Sequence, residues 1–226
     1  MSSSAQLTLL PWLLGWEQPA DRTTFAAGLH AGSCAGMVVA LRRDLGSLDR
    51  RTARLVLLTS LPAAVAGLAA QDVVERRLGG PGPTAALLAG AGALLWAADR
   101  RPEDRGVGPR EAAVAALAQV AALAPGVSRA GATLTALRAV RVRREEAARF
   151  AVLMSLPVTA GAALRTSLRA RTAPRAVPSV LAGVATITAS AVVNRASRRF
   201  VSAAALYRAG LAGAVAVRLG RARGKR

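Results

Sequence analysis

The sequence predicts an all-α integral membrane protein, a polytopic helical bundle in which residues 1–226 form a single membrane domain. Hydrophobic residues make up 53% of the chain and charged residues 19%, and the charges cluster in short runs between apolar blocks. This alternation is typical of polytopic membrane proteins, whereas a soluble helical protein distributes charge along each helix at a period of 3.6 residues. No charged region precedes the first apolar block, so we expect no removable signal peptide.

Each apolar block predicts one helical segment, and we expect at least six of these segments to lie in the bilayer. A helix of about seventeen residues is about 25 Å long, slightly less than a hydrocarbon core of roughly 30 Å. Trp12, Trp16 and Trp96 lie near block ends, where interfacial aromatic side chains are common. The blocks cover residues 5–16, 25–41, 55–70, 84–98, 112–124, 150–164, 177–193 and 201–217.

The net charge is +19, with one lysine among 31 basic residues. The arginines lie in loops between apolar blocks rather than on one stripe, and Tyr207 is the only tyrosine, so we expect no nucleic-acid partner. Cationic loops beside anionic lipid headgroups explain the charge more simply. Counts of loop arginines do not choose between the two membrane orientations. Cys34 is the only cysteine, which excludes an intrachain disulfide.

An internal repeat predicts that the bundle has duplicated halves, at about residues 1–98 and 111–217. A shift of 95 positions places residues 54–62 on residues 149–157, and the two segments share an arginine and a Ser-Leu-Pro sequence. Duplicated halves that meet at a site near the bilayer midplane are common in membrane proteins. A shared bias toward proline-kinked helices is the alternative explanation of this similarity.

The most informative motif is Pro-Gly-Val-Ser-Arg-Ala-Gly-Ala-Thr at residues 125–133. An arginine at hydrocarbon depth costs roughly 2.5–3.5 kcal/mol on insertion scales, so Arg129 needs a partner or a task there. Pro125 and Gly126 leave the N–H groups of a following helix start available, and such a start attracts anions. Because a guanidinium offers a planar set of donors that suits phosphate oxygens, the motif predicts a phosphate-binding site inside or beside the membrane.

The segment 112–137 carries this motif and is too long for one straight span. Its Pro-Gly break in the middle allows two arrangements, which are a single broken span and a re-entrant pair of helices. The sequence leaves both open.

Several motifs together resemble the undecaprenyl-diphosphatase family, also called the bacitracin-resistance proteins. Residues 125–133 are similar to the family's second signature, Pro-Gly-x-Ser-Arg-Ser-x-x-Thr, and residues 143–150 and 155–157 fit the helix that follows. Residues 1–7 are similar to the end of its first signature, Pro-Ile-Ser-Ser-x-x-His, and residues 29–32 and 41–45 fit the next helix. The resemblance covers essentially the whole chain.

The resemblance implies a multi-pass enzyme of the bacterial inner (plasma) membrane, with duplicated halves and re-entrant helix pairs. The implied reaction removes the terminal phosphate of undecaprenyl diphosphate, a polyprenyl diphosphate lipid, and so returns the monophosphate carrier to peptidoglycan synthesis, cell-wall biogenesis and the maintenance of cell shape. Antibiotic resistance, specifically to bacitracin, is the associated trait. A membrane transporter or flippase-like protein that binds a lipid phosphate without hydrolysing it is the alternative, and a homo-oligomer is left open.

The resemblance also assigns roles to individual residues. Arg129 would clamp the diphosphate, while Ser128 and nearby backbone N–H groups, including the turn at Gly126, would hold its oxygens. Ser3 matches the hydroxyl that attacks or orients at phosphorus, so Arg129, Ser128 and Ser3 are the implied catalytic residues. Thr133 matches the signature threonine, and Ser2 and Ser4 flank Ser3 as further phosphate-binding candidates.

Three departures from the family's pattern bear on activity. The family's acidic pair, Glu/Gln-x-x-x-Glu, precedes the first signature and is held to bind a divalent cation, magnesium or calcium, so the metal ligands of this chain are unknown. Because Met1 falls inside that signature, we expect an in-frame upstream segment to encode the pair. Gln6 stands where the family usually has histidine, and Ala130 replaces the signature's second serine. The activity of the 226-residue chain itself is therefore left open.

Four further polar residues are predicted to have structural roles. His30 lies on an apolar helix face and is interpreted as a packing or interfacial residue. Its position does not match that of the signature histidine. Glu145 and Glu146 are interpreted as loop residues paired with arginines. Gln119, six residues before Pro125, is interpreted as structural.

Overall fold

The computed structural model describes residues 3–17, 22–169, 180–185 and 198–223, and within these ranges it confirms the all-α class, with no β-strand. Residues 180–185 form a short helical segment. The named helices in these ranges are α1 (Ser3–Leu14), α2 (Arg22–Ala40), α3 (Arg42–Gly46), α4 (Arg50–Leu78), α5 (Pro81–Ala98), α6 (Pro109–Ala121), α7 (Arg129–Ala139), α8 (Arg144–Arg169) and α9 (Arg198–Arg223).

Apart from α3 and α7, each named helix lies on one predicted apolar block, and several extend past the block into polar sequence. The α4 helix, for example, covers the block at residues 55–70 and continues for several residues at both ends. Of the block at 177–193, the structure describes only residues 180–185, which are helical as predicted. The short α3 helix falls between blocks and was not predicted.

Local sequence explains several helix starts. Pro81 and Pro109 occupy the first positions of α5 and α6, where the missing N–H is not needed. Asp49 caps α4, because its carboxylate accepts a hydrogen bond from the Thr52 hydroxyl at 2.7 Å and from the Arg51 and Thr52 backbone N–H groups at 2.9 Å. These bonds, the Thr52 hydroxyl first, lower the pKa of Asp49 from its ordinary value.

The helices pack into one bundle with two buried apolar clusters. The larger cluster joins α4, α6, α7 and α8, and it includes Leu137, Phe150 and Met154. The smaller cluster joins α1, α5 and α9 around Leu9 and Leu88. The α7 helix contacts α5, α6 and α8, so it lies between the two groups of helices.

The outer surface of the bundle is more apolar than parts of its interior. On α4, Leu58, Val65 and Leu68 are 61%, 63% and 70% exposed, while Thr59 and Ser60 are buried. Large exposed aliphatic surface is unusual for a soluble monomer, and small or polar residues between helices are typical of membrane bundles. Within the described ranges, α4, α5 and α8 are long and apolar enough to cross a membrane, and α1 and α2 contain shorter apolar stretches. This surface supports the prediction of a polytopic membrane protein.

Two tryptophans lie at helix ends beside arginines, as interfacial anchors do. The Arg100 guanidinium lies 3.2 Å from the centroid of the Trp96 ring, and the Arg218 guanidinium lies 4.9 Å from that of Trp12. Arg218 also donates hydrogen bonds to the backbone carbonyls of Trp12 and Leu13. Each of these arginines thus pairs its charged group with a tryptophan ring at a helix end, where lipid headgroups lie in a membrane protein.

The segment 112–137 forms a helical hairpin. The α6 helix ends at Ala121, a turn follows, and α7 begins at Arg129 and packs against α6. At 1.5 Å rise per residue, helices of 13 and 11 residues are each much shorter than a hydrocarbon core of roughly 30 Å. The structure therefore favours the re-entrant pair over a single broken span.

Backbone contact between glycines brings α2 and the segment 180–185 together. A Cβ atom on Gly36 would lie 2.4 Å from the Gly183 carbonyl oxygen, and one on Gly183 would lie 3.2 Å from the Gly32 carbonyl oxygen. Gly32 and Gly36 are four residues apart on one face of α2, the spacing that lets membrane helices approach most closely.

The two Ser-Leu-Pro sequences that define the predicted repeat lie in contacting helices. Pro62 is inside α4 and Pro157 is inside α8, and the Ser60 hydroxyl lies 3.5 Å from the Met154 carbonyl oxygen. Both explanations of the similarity, a duplication and a shared use of proline kinks, are compatible with this arrangement. The boundaries of the two halves stay a prediction.

Candidate phosphate-binding site

The turn that precedes α7 is packed directly on the backbone of α5, and Gly126 makes this contact possible. Gly126 has a φ of +102°, which glycine adopts readily and other residues rarely adopt. A Cβ atom at this position would lie 2.5 Å from the Thr84 carbonyl oxygen and 3.1 Å from the Leu88 nitrogen. The glycine of the motif is thus required for packing that fixes where α7 begins, and its predicted contact with phosphate stays a prediction.

Ser128 is the N-cap of α7. It is buried, and its Oγ accepts a hydrogen bond from the Gly131 N–H at 3.3 Å. Its φ of +69° is uncommon for a residue other than glycine. Such strained backbone conformations concentrate at functional sites, where the surrounding structure holds them in place. The strain at Ser128 is therefore consistent with the functional role that the motif predicts.

Arg129 is the first residue of α7, at the end where the first-turn N–H groups lack helical partners. Its side chain is half-buried and lies within electrostatic range of the His30 imidazole on α2. No carboxylate in the described part of the chain pairs with it. Arg129 thus presents an unneutralised charge beside a helix N-terminus, an arrangement that favours binding of an anion.

Thr133 lies one turn further along α7 and is fully buried. Its hydroxyl donates to the Arg129 carbonyl oxygen at 3.0 Å. This bond within the helix uses the hydroxyl proton, although the oxygen keeps acceptor capacity. A structural role for Thr133 is therefore visible, and a phosphate-binding role stays a prediction.

The start of α1 contacts α9. The amide of Gln6, the residue that replaces the family's histidine, donates to the hydroxyl of Tyr207, which precedes Arg208 in sequence, at 3.2 Å. Ser3 and Ser4 begin α1, but their side chains lie outside the described part of the chain, and Ser2 lies outside it entirely. Their predicted contacts with substrate stay predictions.

Arg208 of α9 is a site residue that the sequence analysis did not identify. It is 2% exposed, and its side chain crosses α5 at Gly92, where an added Cβ would lie 3.2 Å from the Arg208 Cβ. Its Nη2 lies 2.6 Å from the position that a Cβ on Gly131 would occupy. The available signal was a lone arginine inside the apolar block at residues 201–217, which is costly in a membrane helix.

A buried ion-pair cluster holds the opposite end of α7. The Arg138 side chain is fully buried, and its Nε lies 3.3 Å from the Asp99 carboxylate. Arg144 contacts the same carboxylate at 2.7 Å, and both arginines reach Glu103. Arg138 also donates to the backbone carbonyls of Asp99, Arg101 and Val142. The cluster joins α5, α7 and α8 and gives α7 a fixed position.

Gln119 and Glu146 have structural contacts, as predicted, whereas no arginine in the described part of the chain pairs with Glu145. Gln119 is buried and donates to the Met154 carbonyl at 3.2 Å, while its Oε1 has no partner among the described residues. Glu146 pairs with Arg143 at 3.0 Å and accepts from the Val107 N–H at 2.7 Å. Glu145 and Glu146 lie in the first turn of α8 rather than in a loop, because this turn favours acidic residues. His30 packs close to the site, near Arg129.

The donors around Arg129 suit an anion and not a metal cation. In the described part of the chain, no three His, Cys, Asp or Glu side chains are grouped so that they could hold a metal ion. The polar groups at the start of α7 are the side chain of Arg129, which begins the helix, the Arg208 guanidinium beside Gly131, the Ser128 hydroxyl and the backbone N–H groups. The described residues therefore do not supply the divalent-cation site that the resemblance implies.

The fold and this arrangement define a class: a polytopic helical membrane protein with a re-entrant hairpin whose second helix begins at a cationic site suited to an anion. Comparison with known proteins identifies the family within this class. The family model described as bacitracin resistance protein BacA matches residues 1–214, and the chain belongs to this family.

Three similar proteins are described as undecaprenyl-diphosphatases. The chain is 40% identical over 185 residues to an undecaprenyl-diphosphatase of Geobacter sulfurreducens, a match that covers 73% of this chain and 68% of that protein. It is 39% identical over 185 residues to an undecaprenyl-diphosphatase of Rubrobacter xylanophilus, covering 72% and 67% of the two chains. It is 36% identical over 197 residues to that of Thermomicrobium roseum, covering 75% and 70%.

Proposed function

We propose that this protein is an undecaprenyl-diphosphate phosphatase. It hydrolyses undecaprenyl diphosphate to undecaprenyl phosphate and inorganic phosphate, and it thereby recycles the lipid carrier of cell-wall synthesis and contributes to bacitracin resistance. The family match over residues 1–214, together with the anion-binding arrangement at the start of α7, carries this proposal. No comparison favours the non-hydrolytic transporter.

In the proposed site, Arg129 binds the oxygens of the terminal phosphate, and Ser128 with the first N–H groups of α7 contacts the same group. Phosphoryl transfer depends mainly on positioning and on neutralisation of charge. A half-buried guanidinium at a helix N-terminus supplies both, since it is positioned before the substrate arrives and is partly shielded from water. In one route water attacks the terminal phosphorus directly; in the other the Ser3 hydroxyl attacks it, and water then hydrolyses the phosphoserine. In both routes the bond from phosphorus to the bridging oxygen breaks, lipid monophosphate leaves, and the terminal phosphate is released as inorganic phosphate.

The proposal places the enzyme in the bacterial plasma membrane as a multi-pass protein. Its outward aliphatic side chains meet lipid, and the hairpin of α6 and α7 brings the site within reach of a lipid-anchored headgroup. A magnesium or calcium ion would add neutralising charge, as the resemblance implies. The described residues offer no ligand set for such an ion.

Phosphate release by the purified full chain in detergent tests the proposal. The substrate is undecaprenyl diphosphate, with magnesium or calcium present in one series and a chelator in the other. We expect equal amounts of inorganic phosphate and undecaprenyl phosphate to appear. Binding of the lipid without any release of phosphate would support the transporter alternative and contradict the proposal.

A further inference from the structure

The structure contains two deeply buried arginines with opposite surroundings. Arg138 is 0% exposed and is saturated by two carboxylates and three backbone carbonyls. Arg208 is 2% exposed, and its Nε and Nη1 atoms have no hydrogen-bond partner among the described residues. A buried charge without a partner is strongly destabilising, whereas a paired one is tolerated. Arg208 therefore lacks the contacts that would make it a structural residue.

The packing around Arg208 guides its guanidinium to the start of α7. Gly92 on α5 leaves room for the aliphatic part of the side chain, because an added Cβ would lie 3.2 Å from Cβ and 3.3 Å from Cδ of Arg208. Gly131 on α7 leaves room for the guanidinium, whose Nη2 lies 2.6 Å from the added Cβ position. Two glycines on two different helices thus accommodate one arginine.

Arg208 and the N-cap of α7 face the same point in space. Around the position of a Cβ on Gly131, the Arg208 Nη2 lies at 2.6 Å and the Ser128 Oγ at 3.2 Å. Gly131 is two residues after Arg129, so the Arg208 guanidinium lies beside the first turn of the helix that Arg129 begins. A group bound at this point can therefore contact Ser128, the helix N-terminus and Arg208.

We propose that Arg208 is a second phosphate-binding arginine of this site, and that together with Arg129 it makes the site specific for a diphosphate group over a monophosphate. A diphosphate carries two neighbouring phosphates and the larger negative charge, and two guanidinium groups give each phosphate its own set of donors. A monophosphate leaves one of these two guanidinium groups unpaired, which favours departure of the product. This inference rests on the proposed function, because it assigns a second phosphate-binding residue to the same substrate site.

Three measurements on the purified full chain in detergent test this role, with Arg208→Met, Arg208→Lys and the matched control Arg138→Met. In the absence of ligand, we expect Arg208→Met to melt at the parent's temperature or above, since it removes an unpartnered charge. Arg138→Met should melt several degrees lower, because two carboxylates lose one of their two arginines and three backbone carbonyls lose their donor. A fall in melting temperature for Arg208→Met equal to that of Arg138→Met would show a structural role and overturn the proposal.

The second measurement is ligand-induced stabilisation, with inorganic pyrophosphate, inorganic phosphate and undecaprenyl diphosphate as probes. We expect pyrophosphate and the lipid diphosphate to raise the parent's melting temperature more than phosphate does, and the lipid to act at lower concentration. Both shifts should be lost in Arg208→Met and reduced in Arg208→Lys. Equal shifts for phosphate and pyrophosphate, or no dependence on Arg208, would overturn the proposal.

The third measurement is hydrolysis, which separates this inference from the proposed function. We expect kcat/KM of Arg208→Met to fall at least about thirtyfold, with a rise in KM. If the parent hydrolyses the lipid and Arg208→Met stays within about threefold of it, the inference fails and the proposed function stands. If the parent binds diphosphates through Arg208 but releases no phosphate, the proposed function fails and the inference stands.

Discussion

At the residue scale, arginines of the same chemistry have different roles because their ion-pair partners differ. Arg138 is neutralised and holds helices together, whereas Arg129 has no carboxylate partner in the described ranges and lies where α7 begins. His30 lies within electrostatic range of Arg129, and in the described ranges it forms no ion pair with a carboxylate that would orient it as a general base. The environment of each group, and not its residue type, therefore separates binding roles from structural ones.

Replacement of Arg129 by lysine and of His30 by alanine should affect hydrolysis to very different extents. We expect Arg129→Lys to recover little of the activity that Arg129→Ala loses, because an ammonium cannot reproduce the bidentate contact of a guanidinium with phosphate. His30→Ala should retain most of the activity, since His30 is assigned to packing. Phosphate release from undecaprenyl diphosphate measures both. A larger loss for His30→Ala than for Arg129→Lys would contradict these assignments.

Gly126 should tolerate no side chain, because its Cβ would meet the backbone of α5. We expect Gly126→Ala to destabilise the protein by on the order of 1–3 kcal/mol, since both the positive φ and the contact with the Thr84 carbonyl oppose it. The matched control is Gly90→Ala on α5, where an added Cβ meets nothing within 4 Å and should be neutral or slightly stabilising. Thermal unfolding in detergent compares them, and equal melting temperatures for the two variants would refute the contact.

At the element scale, the hairpin of α6 and α7 positions the site, and each end of α7 is fixed in a different way. Its start is fixed by the turn packed on α5, and its end by the ion pairs of Arg138. Two short helices cannot hold themselves in place in isolation, so these tertiary contacts are needed. The geometry of the site should therefore depend on residues well away from it.

Asp99 should be important for stability, and Asp104 should not. Loss of the Asp99 charge leaves Arg138 and Arg144 without their shared carboxylate, and removal of one partner from a buried ion pair costs about 3–5 kcal/mol. Asp104 pairs with Arg141 at the surface, where such pairs contribute about 0–1 kcal/mol. We expect Asp99→Asn to lower the melting temperature clearly and Asp104→Asn to leave it nearly unchanged. Similar shifts for the two variants would contradict this reading of the cluster.

At the scale of the whole molecule, the sequence predicted most of the architecture because the membrane imposes a simple pattern. Apolar blocks predicted most of the helices, and the break at Pro125 and Gly126 predicted an interruption that fitted either a broken span or the hairpin that the structure shows. Arg208 could not be assigned a role in the site, because its proximity to Gly131 arises from the packing of α9 on α5. The partner carboxylates of Arg138 lie nearly forty positions away in sequence for the same reason.

The pattern of exposed leucines and valines also predicts behaviour of the intact protein. With side chains such as Leu58 and Leu68 more than half exposed, we expect the chain to stay in the membrane pellet after carbonate and high-salt washes and to require detergent for extraction. A protein bound only by electrostatic attraction between its arginine-rich loops and anionic lipid would instead be released by high salt. Recovery in the soluble fraction after gentle lysis without detergent would contradict integral insertion.

The central claim is that the start of α7 binds and stabilises the phosphate that is transferred. Phosphate release from undecaprenyl diphosphate by the parent and by Arg129→Ala, purified and assayed side by side, tests it most directly. Loss of one charge-assisted donor set for a transferring phosphoryl group costs about 3 kcal/mol of transition-state stabilisation, so we predict a fall of at least about a hundredfold in kcat/KM. Activity of Arg129→Ala within about threefold of the parent would contradict the account.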